Sequence, residues 1–87
     1  MTKINIYCLF DTKNELYGVY SSIKAAHRDA VQLCNKGVSG VYVRDGGTLI
    51  KPTLTHLRNI FKGEVDVKVV YISDVATATI LKTGLKE

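Results

Sequence analysis

Two cysteines and two histidines are the side chains in this sequence best suited to metal binding or nucleophilic attack. Cys8 and Cys34 show no Cys-X-X-Cys spacing, and His27 and His56 stand alone. A protein metal site brings together about three or four ligands, and a nucleophile needs a base and an orienting group within reach. Cys34 follows His27 by seven residues, which is nearly two turns along a helix and too far for direct contact. The sequence therefore predicts no catalytic residue, no metal site and no cofactor, with a reactive thiol as the alternative to buried cysteines.

The segment Asp45-Gly46-Gly47 could in principle cradle an anion. A phosphate-binding loop, however, carries a Lys-Ser/Thr pair that opens a helix, or a longer glycine pattern between a strand and a helix. Here the glycines separate two short apolar runs, which is typical of a tight hairpin turn. We therefore expect a turn and not a phosphate site.

Five tyrosines lie on predicted strands and include the strongest candidates for a binding site. Tyr42 and Arg44 share one strand face, Tyr7 lies on the less apolar face of another strand, and Lys68 lies on the polar part of a third. Aromatic and basic side chains on a sheet stack against single-stranded nucleic acid, and tyrosine and arginine also concentrate binding energy at protein interfaces. The simpler alternative is that tyrosines pack along sheet edges with their hydroxyls in water. The predicted binding residues are Tyr42, Arg44, Tyr7 and Lys68.

Period-two alternation predicts five strands, and apolar residues at three- and four-residue spacing predict helices between them. The predicted strands are Lys3–Phe10, Leu16–Tyr20, Val41–Arg44, Thr48–Lys51 and Glu64–Ser73. The predicted helices run from Ser21 or Ser22 to about Lys36, from Thr53 to Gly63, and from Val75 to Leu81 with Asp74 as its N-cap.

Each of these elements has a face that we expect in the core. On the first strand it carries Ile4, Ile6, Cys8 and Phe10, and on the first helix it carries Ile23, Ala26, Ala30, Leu33 and Cys34. The last predicted strand changes from one apolar face to two, at Val70 and Ile72. Such a strand is expected inside the sheet and covered on both sides.

These elements predict an α+β fold in one domain over residues 1–87, in the order β-β-α-β-β-α-β-α. We expect an antiparallel or mixed sheet of about five strands, with two to three helices. The two better helices pack on one face, which leaves the other sheet face or an edge free to bind.

Composition limits the class of protein. The chain has 87 residues, of which 46% are hydrophobic and 23% charged, and its net charge is +4. It shows no signal peptide pattern and no apolar run long enough to span a bilayer, so we expect a cytoplasmic protein without a membrane partner. The positive net charge gives only weak support for nucleic acid as the partner, because basic residues nowhere fall three in a row.

The hairpin-and-helix start, Ile4–Ala30, with its Gly18-Val19-Tyr20-Ser21-Ser22 and Ile23-Lys24-Ala25-Ala26 segments, resembles small accessory proteins of bacteriophages and mobile elements. The resemblance covers about a third of the chain. It implies a phage-encoded protein of the host cytoplasm that takes over a host function or neutralises a host defence. It assigns no site residue.

The sequence thus favours a small, non-catalytic interaction protein that binds and modulates a host macromolecule, expected to be a protein, through a surface centred on Tyr42 and Arg44. The alternative is a single-stranded nucleic-acid-binding protein that uses the same tyrosine and arginine sheet face. An enzyme or small-ligand binder is the third class, and a deep pocket with convergent polar groups would favour it. A homodimer is also compatible with a free sheet face.

Overall fold

The computed structural model describes residues 4–34, 40–45, 47–62 and 67–85, and these ranges contain six strands and two helices. In chain order the elements are β1 (Ile4–Phe10), β2 (Leu16–Tyr20), α1 (Ile23–Cys34), β3 (Tyr42–Asp45), β4 (Thr48–Ile50), α2 (Leu54–Ile60), β5 (Val67–Ile72) and β6 (Thr77–Leu85). The predicted α+β class is confirmed, with a sixth strand where a third helix was expected.

The six strands form one antiparallel sheet in the spatial order β2-β1-β6-β5-β3-β4. Strands that follow one another along the chain form three hairpins, β1–β2, β3–β4 and β5–β6. Pairing of β1 with β6 and of β3 with β5 joins the hairpins into one sheet. β5 lies inside this sheet, as its apolar sequence predicted.

Both helices pack on the same side of the sheet, here called the inner face. α1 contacts β1, β2, β5, β6 and α2. At the end of α2, the Phe61 ring meets the Tyr7 ring edge-on at 5.5 Å between centroids, and the Phe61 carbonyl accepts a hydrogen bond from Nζ of Lys82 on β6. The core between these layers consists of Tyr7, Leu9, Ala26, Ala30, Cys34, Val43, Leu57, Phe61, Val69, Tyr71, Ala78 and Ile80.

The two helices begin where the sequence places their caps. The Ser22 hydroxyl accepts a hydrogen bond from the Ala25 amide, and the Thr53 hydroxyl accepts one from the His56 amide, as N-cap residues do. The apolar stripe predicted for α1 faces the core. The predicted end of α1, near residue 36, lies outside the described residues, whereas α2 ends at Ile60, with Phe61 as its C-cap, before the predicted end at Gly63. No helix among the described ranges is long and apolar enough to cross a membrane.

The prediction of a third helix over Val75–Leu81 is wrong, because these residues belong to a turn and to β6. Ser73 opens the turn, where its hydroxyl and amide bond to the Ala76 carbonyl. From there side chains alternate between the faces, with Ala78, Ile80 and Lys82 buried. β-branched threonines favour a strand over a helix, and β6 is held on both sides, by β1 and β5.

The predicted inward face of β1 is also wrong. Tyr7 and Leu9 are buried, whereas Ile6, Cys8 and Phe10 are only half-buried on the side without helices. The Ile4 side chain lies outside the described part of the structure. The register explains the reversal, because Leu9 pairs with Ile80 and Tyr7 with Lys82, and both partners lie beneath the helices. Since side chains alternate along a strand, a buried Leu9 places its neighbour Cys8 on the opposite face of the sheet.

The turns predicted between strands are present. In the β1–β2 loop, the Asp11 carboxylate accepts hydrogen bonds from the amides of Lys13 and Glu15, and Asn14 takes a left-handed conformation with φ of 62°. In the β3–β4 turn, Gly47 has φ of 89°, a conformation that glycine adopts without a steric cost. Gly46, and residues 64–66 of the predicted long strand, lie outside the described residues.

Candidate protein-interaction surface

The side of the sheet opposite the helices, here called the outer face, is defined by the strand registers. Residues paired across antiparallel strands place their side chains on the same face. Cys8 pairs with Leu81, which pairs with Lys68, and this row crosses the three neighbouring strands β1, β6 and β5. For the four strands inside the sheet, the registers give an outer face of Ile6, Cys8, Phe10, Tyr42, Arg44, Lys68, Val70, Ile72, Thr77, Thr79, Leu81 and Thr83.

None of these outer-face residues is buried, although most are apolar. Large apolar side chains at both edges of the sheet extend the patch. On β2 these are Leu16 and Val19, with exposed fractions of 58% and 55%, and on β4 it is Leu49 with 52%. The outer face is therefore rich in apolar side chains in contact with water, with the threonines of β6 between those of β1 and β5.

Three of the four predicted binding residues lie together on this face. Tyr42 and Arg44 lie on β3, and Lys68 lies on the neighbouring strand β5. Their partners across the sheet, Ile72, Leu49 and Leu81, show that all three side chains are on the outer face. Arg44 and Lys68 are exposed, and Tyr42 is half-buried. The sequence thus brings together a tyrosine, an arginine and a lysine on the surface without helices.

The fourth predicted binding residue, Tyr7, lies on the inner face, so its expected exposure is wrong. It is 8% exposed and packs against Phe61, and its burial raises the pKa of the hydroxyl. The less apolar face of β1 is the one that the helices cover, because Tyr7 supplies a ring that fits the end of α2. Tyr7 is therefore a core residue.

The aromatic side chains of the outer face are too far apart to act as one stacking platform. Phe10 lies on β1 and Tyr42 on β3, with β6 and β5 between them. Three strand spacings of about 4.8 Å place these strands about 14 Å apart. Base-stacking sheets place aromatic residues within reach of successive nucleotides, so this spacing does not favour a bound single strand.

The charge of the outer face is one-sided. Lys68 and Arg44 point outward, and no aspartate or glutamate does so among the strand side chains that the structure describes. The two cations lie among aliphatic residues of β5, β6 and β4, namely Val70, Leu81 and Leu49. A complementary surface would combine apolar side chains with carboxylates.

The cysteines differ in environment, and sequence reasoning placed one of them correctly. Cys34 is fully buried, its thiol lies 3.9 Å from the Tyr71 carbonyl, and burial raises its pKa. Cys8, predicted to be buried, is half-buried on the outer face, and both thiols are free. Within the described ranges no three His, Cys, Asp or Glu side chains form a group that could hold a metal ion.

Sequence reasoning missed most of the apolar outer face, including Ile6, Cys8, Phe10 and Leu81. One signal was present, because Val70 and Ile72 made the second face of β5 apolar and called for a cover. The expectation that β5 is covered on both sides is wrong, because both helices pack on the inner face and leave Val70 and Ile72 half-buried. Comparisons with family models, curated proteins and solved structures gave no match to this chain.

Proposed function

We propose that this protein is a non-catalytic interaction module that binds a macromolecular partner, a protein, through the outer face of its sheet. The observation that carries this function is the placement of β1. Its more apolar side, with Ile6, Cys8 and Phe10, lies on the surface without helices. Apolar residues on a face that no helix covers contribute little to stability. Large exposed apolar patches mark interaction sites.

The size of the surface suits a specific interface. Six strands about 4.8 Å apart span about 24 Å between the outermost strands, and seven residues of a strand extend about 23 Å. Such a face offers on the order of 550 Å² in projection, and side-chain relief and the exposed edge residues add to it. A standard interface buries about 800 Å² on each partner, so a partner that covers the whole outer face reaches this class.

The charges indicate the chemistry of the partner. Lys68 and Arg44 lie at the apolar surface, and no carboxylate points outward among the strand side chains that the structure describes, so a partner with aspartate or glutamate beside an apolar patch complements both features. A symmetric dimer would instead bring the same surface of two copies together. It would bury four cations without compensation, which is costly. The occupant is therefore a different protein, and a homodimer is an outcome that the test must be able to detect.

Origin in a phage and a target in the host are what the resemblance of Ile4–Ala30 implies. Binding through the outer face requires neither. It requires a protein partner whose exposed surface is apolar and acidic.

Leu81→Glu is the informative variant for this function. It removes the apolar centre of the outer face, while the new carboxylate lies directly across from Lys68 on the neighbouring strand. An opposite-charge pair in this position supports the sheet, so the fold should survive. Thr55→Glu, at an exposed position of α2, makes a similar change of charge on the helix side and serves as the matched control.

The experiment captures partners with tagged wild-type protein and both variants, and then repeats binding with each captured protein after purification. We expect one purified partner to bind the wild type and Thr55→Glu equally, and Leu81→Glu at least about tenfold more weakly, as loss of an interface anchor does. Saturating partner should also slow the reaction of the Cys8 thiol. Equal binding by Leu81→Glu, a partner that is nucleic acid, or a stable dimer of the protein alone in sedimentation would each overturn the proposed function.

A further inference from the structure

A cleft of about 530 Å³ opens on the helix side of the molecule, between the outward side of α1 and the start of α2. Its surface consists mainly of apolar atoms, with Ala25, Val31 and Leu54 among its walls. Ligand pockets of proteins occupy about 300–1,000 Å³ and are mostly apolar with a few polar groups. The cleft has this character, and the sheet separates it from the outer face.

His27 contributes a polar group to this cleft, and Tyr71 fixes its orientation. The Tyr71 hydroxyl is 2.7 Å from Nδ1 of the imidazole. Tyr71 is fully buried, and Nδ1 is the one hydrogen-bond partner of its hydroxyl among the described residues. A buried hydroxyl hydrogen without an acceptor is costly, so the hydroxyl donates to Nδ1. The neutral ring then carries its hydrogen on Nε2.

The Nε2–H group of this tautomer is a hydrogen-bond donor without a partner among the described residues. His27 lines the cleft, so a molecule bound there lies beside this ring. Burial lowers the pKa of His27, which keeps the ring in this neutral, singly donating form near neutral pH. The site therefore offers an oriented N–H beside apolar walls.

The charged side chains that line the cleft are cations. Lys24 and Arg28 line it, and no carboxylate does so among the residues that the structure describes. Nε of Arg28 donates a hydrogen bond to Oδ1 of Asp29 at 3.1 Å. The terminal guanidinium nitrogens remain for another acceptor. Lys24 is exposed and has no bonded partner among the described residues. Two cations and an N–H donor are complementary to an anionic group with oxygen acceptors.

We propose that this cleft binds a small amphipathic anion, a carboxylate joined to a hydrocarbon chain. The apolar walls accept the chain, and Lys24, Arg28 and Nε2 of His27 receive the carboxylate. A polyanion such as a nucleoside triphosphate fits less well, because most of the lining is apolar. The site is independent of protein binding through the outer face, which lies on the other side of the sheet.

Decanoate, below its micelle-forming concentration, is the probe, with binding followed by calorimetry and by NMR shifts of the wild-type protein. Acetate has the head group without the chain, and decyltrimethylammonium has the chain with the opposite charge. We expect saturable binding of one decanoate per chain, with shifts at the His27 ring and at Val31, and no saturable binding of either comparison compound. The ring shift reports on His27 without a substitution that would disturb Tyr71.

Lys24→Gln should weaken decanoate binding about fivefold, the effect of one partly exposed charge pair. Lys51→Gln, which removes an exposed cation outside the cleft, should leave the affinity unchanged. Equal binding of decyltrimethylammonium, shifts centred on Leu81 and Val70, equal effects of both lysine variants, or no saturable binding would each overturn the assignment of this site.

Discussion

The hydroxyl of Tyr20 donates a hydrogen bond of 2.6 Å to Oδ2 of Asp29, which ties the edge strand β2 to α1. The same carboxylate accepts a hydrogen bond from Arg28 through Oδ1. Two donors therefore hold one acidic group at the boundary between the sheet and the helix layer. β2 has a single strand neighbour, β1, so this bond adds a side-chain link from the end of the edge strand to the helix layer.

Tyr20→Phe should lower the melting temperature most at intermediate pH. The bonds from Tyr20 and Arg28 lower the pKa of Asp29 below its ordinary value of 3.8, so its contribution is present above that pH and is lost as the pH falls through the folded value. Burial and the Asp29 bond raise the pKa of Tyr20 from 10.0 to about 12, so that contribution is present below pH 10 and is lost toward pH 12.

Thermal unfolding of wild type and Tyr20→Phe from about pH 3 to 11 measures this dependence. The difference between the two melting temperatures should be largest on a plateau between the two ordinary pKa values and should shrink at both ends. A difference that stays constant across the range would mean that the hydrogen bond to Asp29 does not stabilise the fold.

His27 should make the protein less stable as the pH falls below 6.5. Burial lowers the pKa of His27 in the folded state, so the unfolded chain takes up a proton first and is favoured. The contribution is complete above the ordinary value of 6.5 and decreases as the pH falls through it. Urea unfolding at pH 7.5 and 5.5 measures the change. His27→Gln should show a smaller change between these two pH values than the wild type, and an equal change would contradict the assignment to His27.

Substitutions on the two faces of β1 should differ in cost. Leu9 is fully buried beneath the helices, so Leu9→Ala should lower the free energy of unfolding by about 2–5 kcal/mol. Ile6 is half-buried on the outer face, and Ile6→Ala should cost about 1 kcal/mol or less. Urea titration of both variants gives the comparison. A larger cost for Ile6 would place the other side of β1 against the helices.

The two thiols should react at different rates in the folded protein. Cys8 is half-buried on the outer face, while Cys34 is fully buried and burial raises its pKa, which lowers its thiolate fraction. A disulfide reagent should therefore modify Cys8 quickly and Cys34 only as the protein unfolds, with mass spectrometry identifying each product. Two equally slow thiols would mean that something covers the outer face in the isolated protein.

The elements predicted most accurately are those whose signals are local. Ser22 and Thr53 cap their helices from within the same turn, and Asp11 organises the β1–β2 loop through its neighbours. The errors concern long-range pairing. β1 has apolar residues on both faces, and its inward side is chosen by Ile80 and Phe61, far along the chain. Alanine and threonine in β6 carry little periodicity of their own, so its strand form depends on β1 and β5.

The same dependence on long-range pairing explains which candidate site residues were predicted correctly. Tyr42 and Arg44 were placed on one face of their strand, and Lys68 on the polar part of another strand, because these strands alternate in a simple way. Tyr7 was misplaced because, although the alternation along β1 was predicted correctly, the side of β1 that the helices cover was not. The apolar extent of the outer face could not be predicted while β6 was assigned to a helix.

The position of β6 has a consequence for how the chain reaches its folded state. β6 follows the other five strands in sequence, yet it lies between β1 and β5. Without it, β2 and β1 on one side and β5, β3 and β4 on the other share no pairing in the described sheet. During synthesis, the earlier strands can form hairpins, but they cannot form one sheet until β6 leaves the ribosome. Contacts between residues so distant in sequence form slowly, so completion of the sheet should be a late, cooperative step that joins both halves at once.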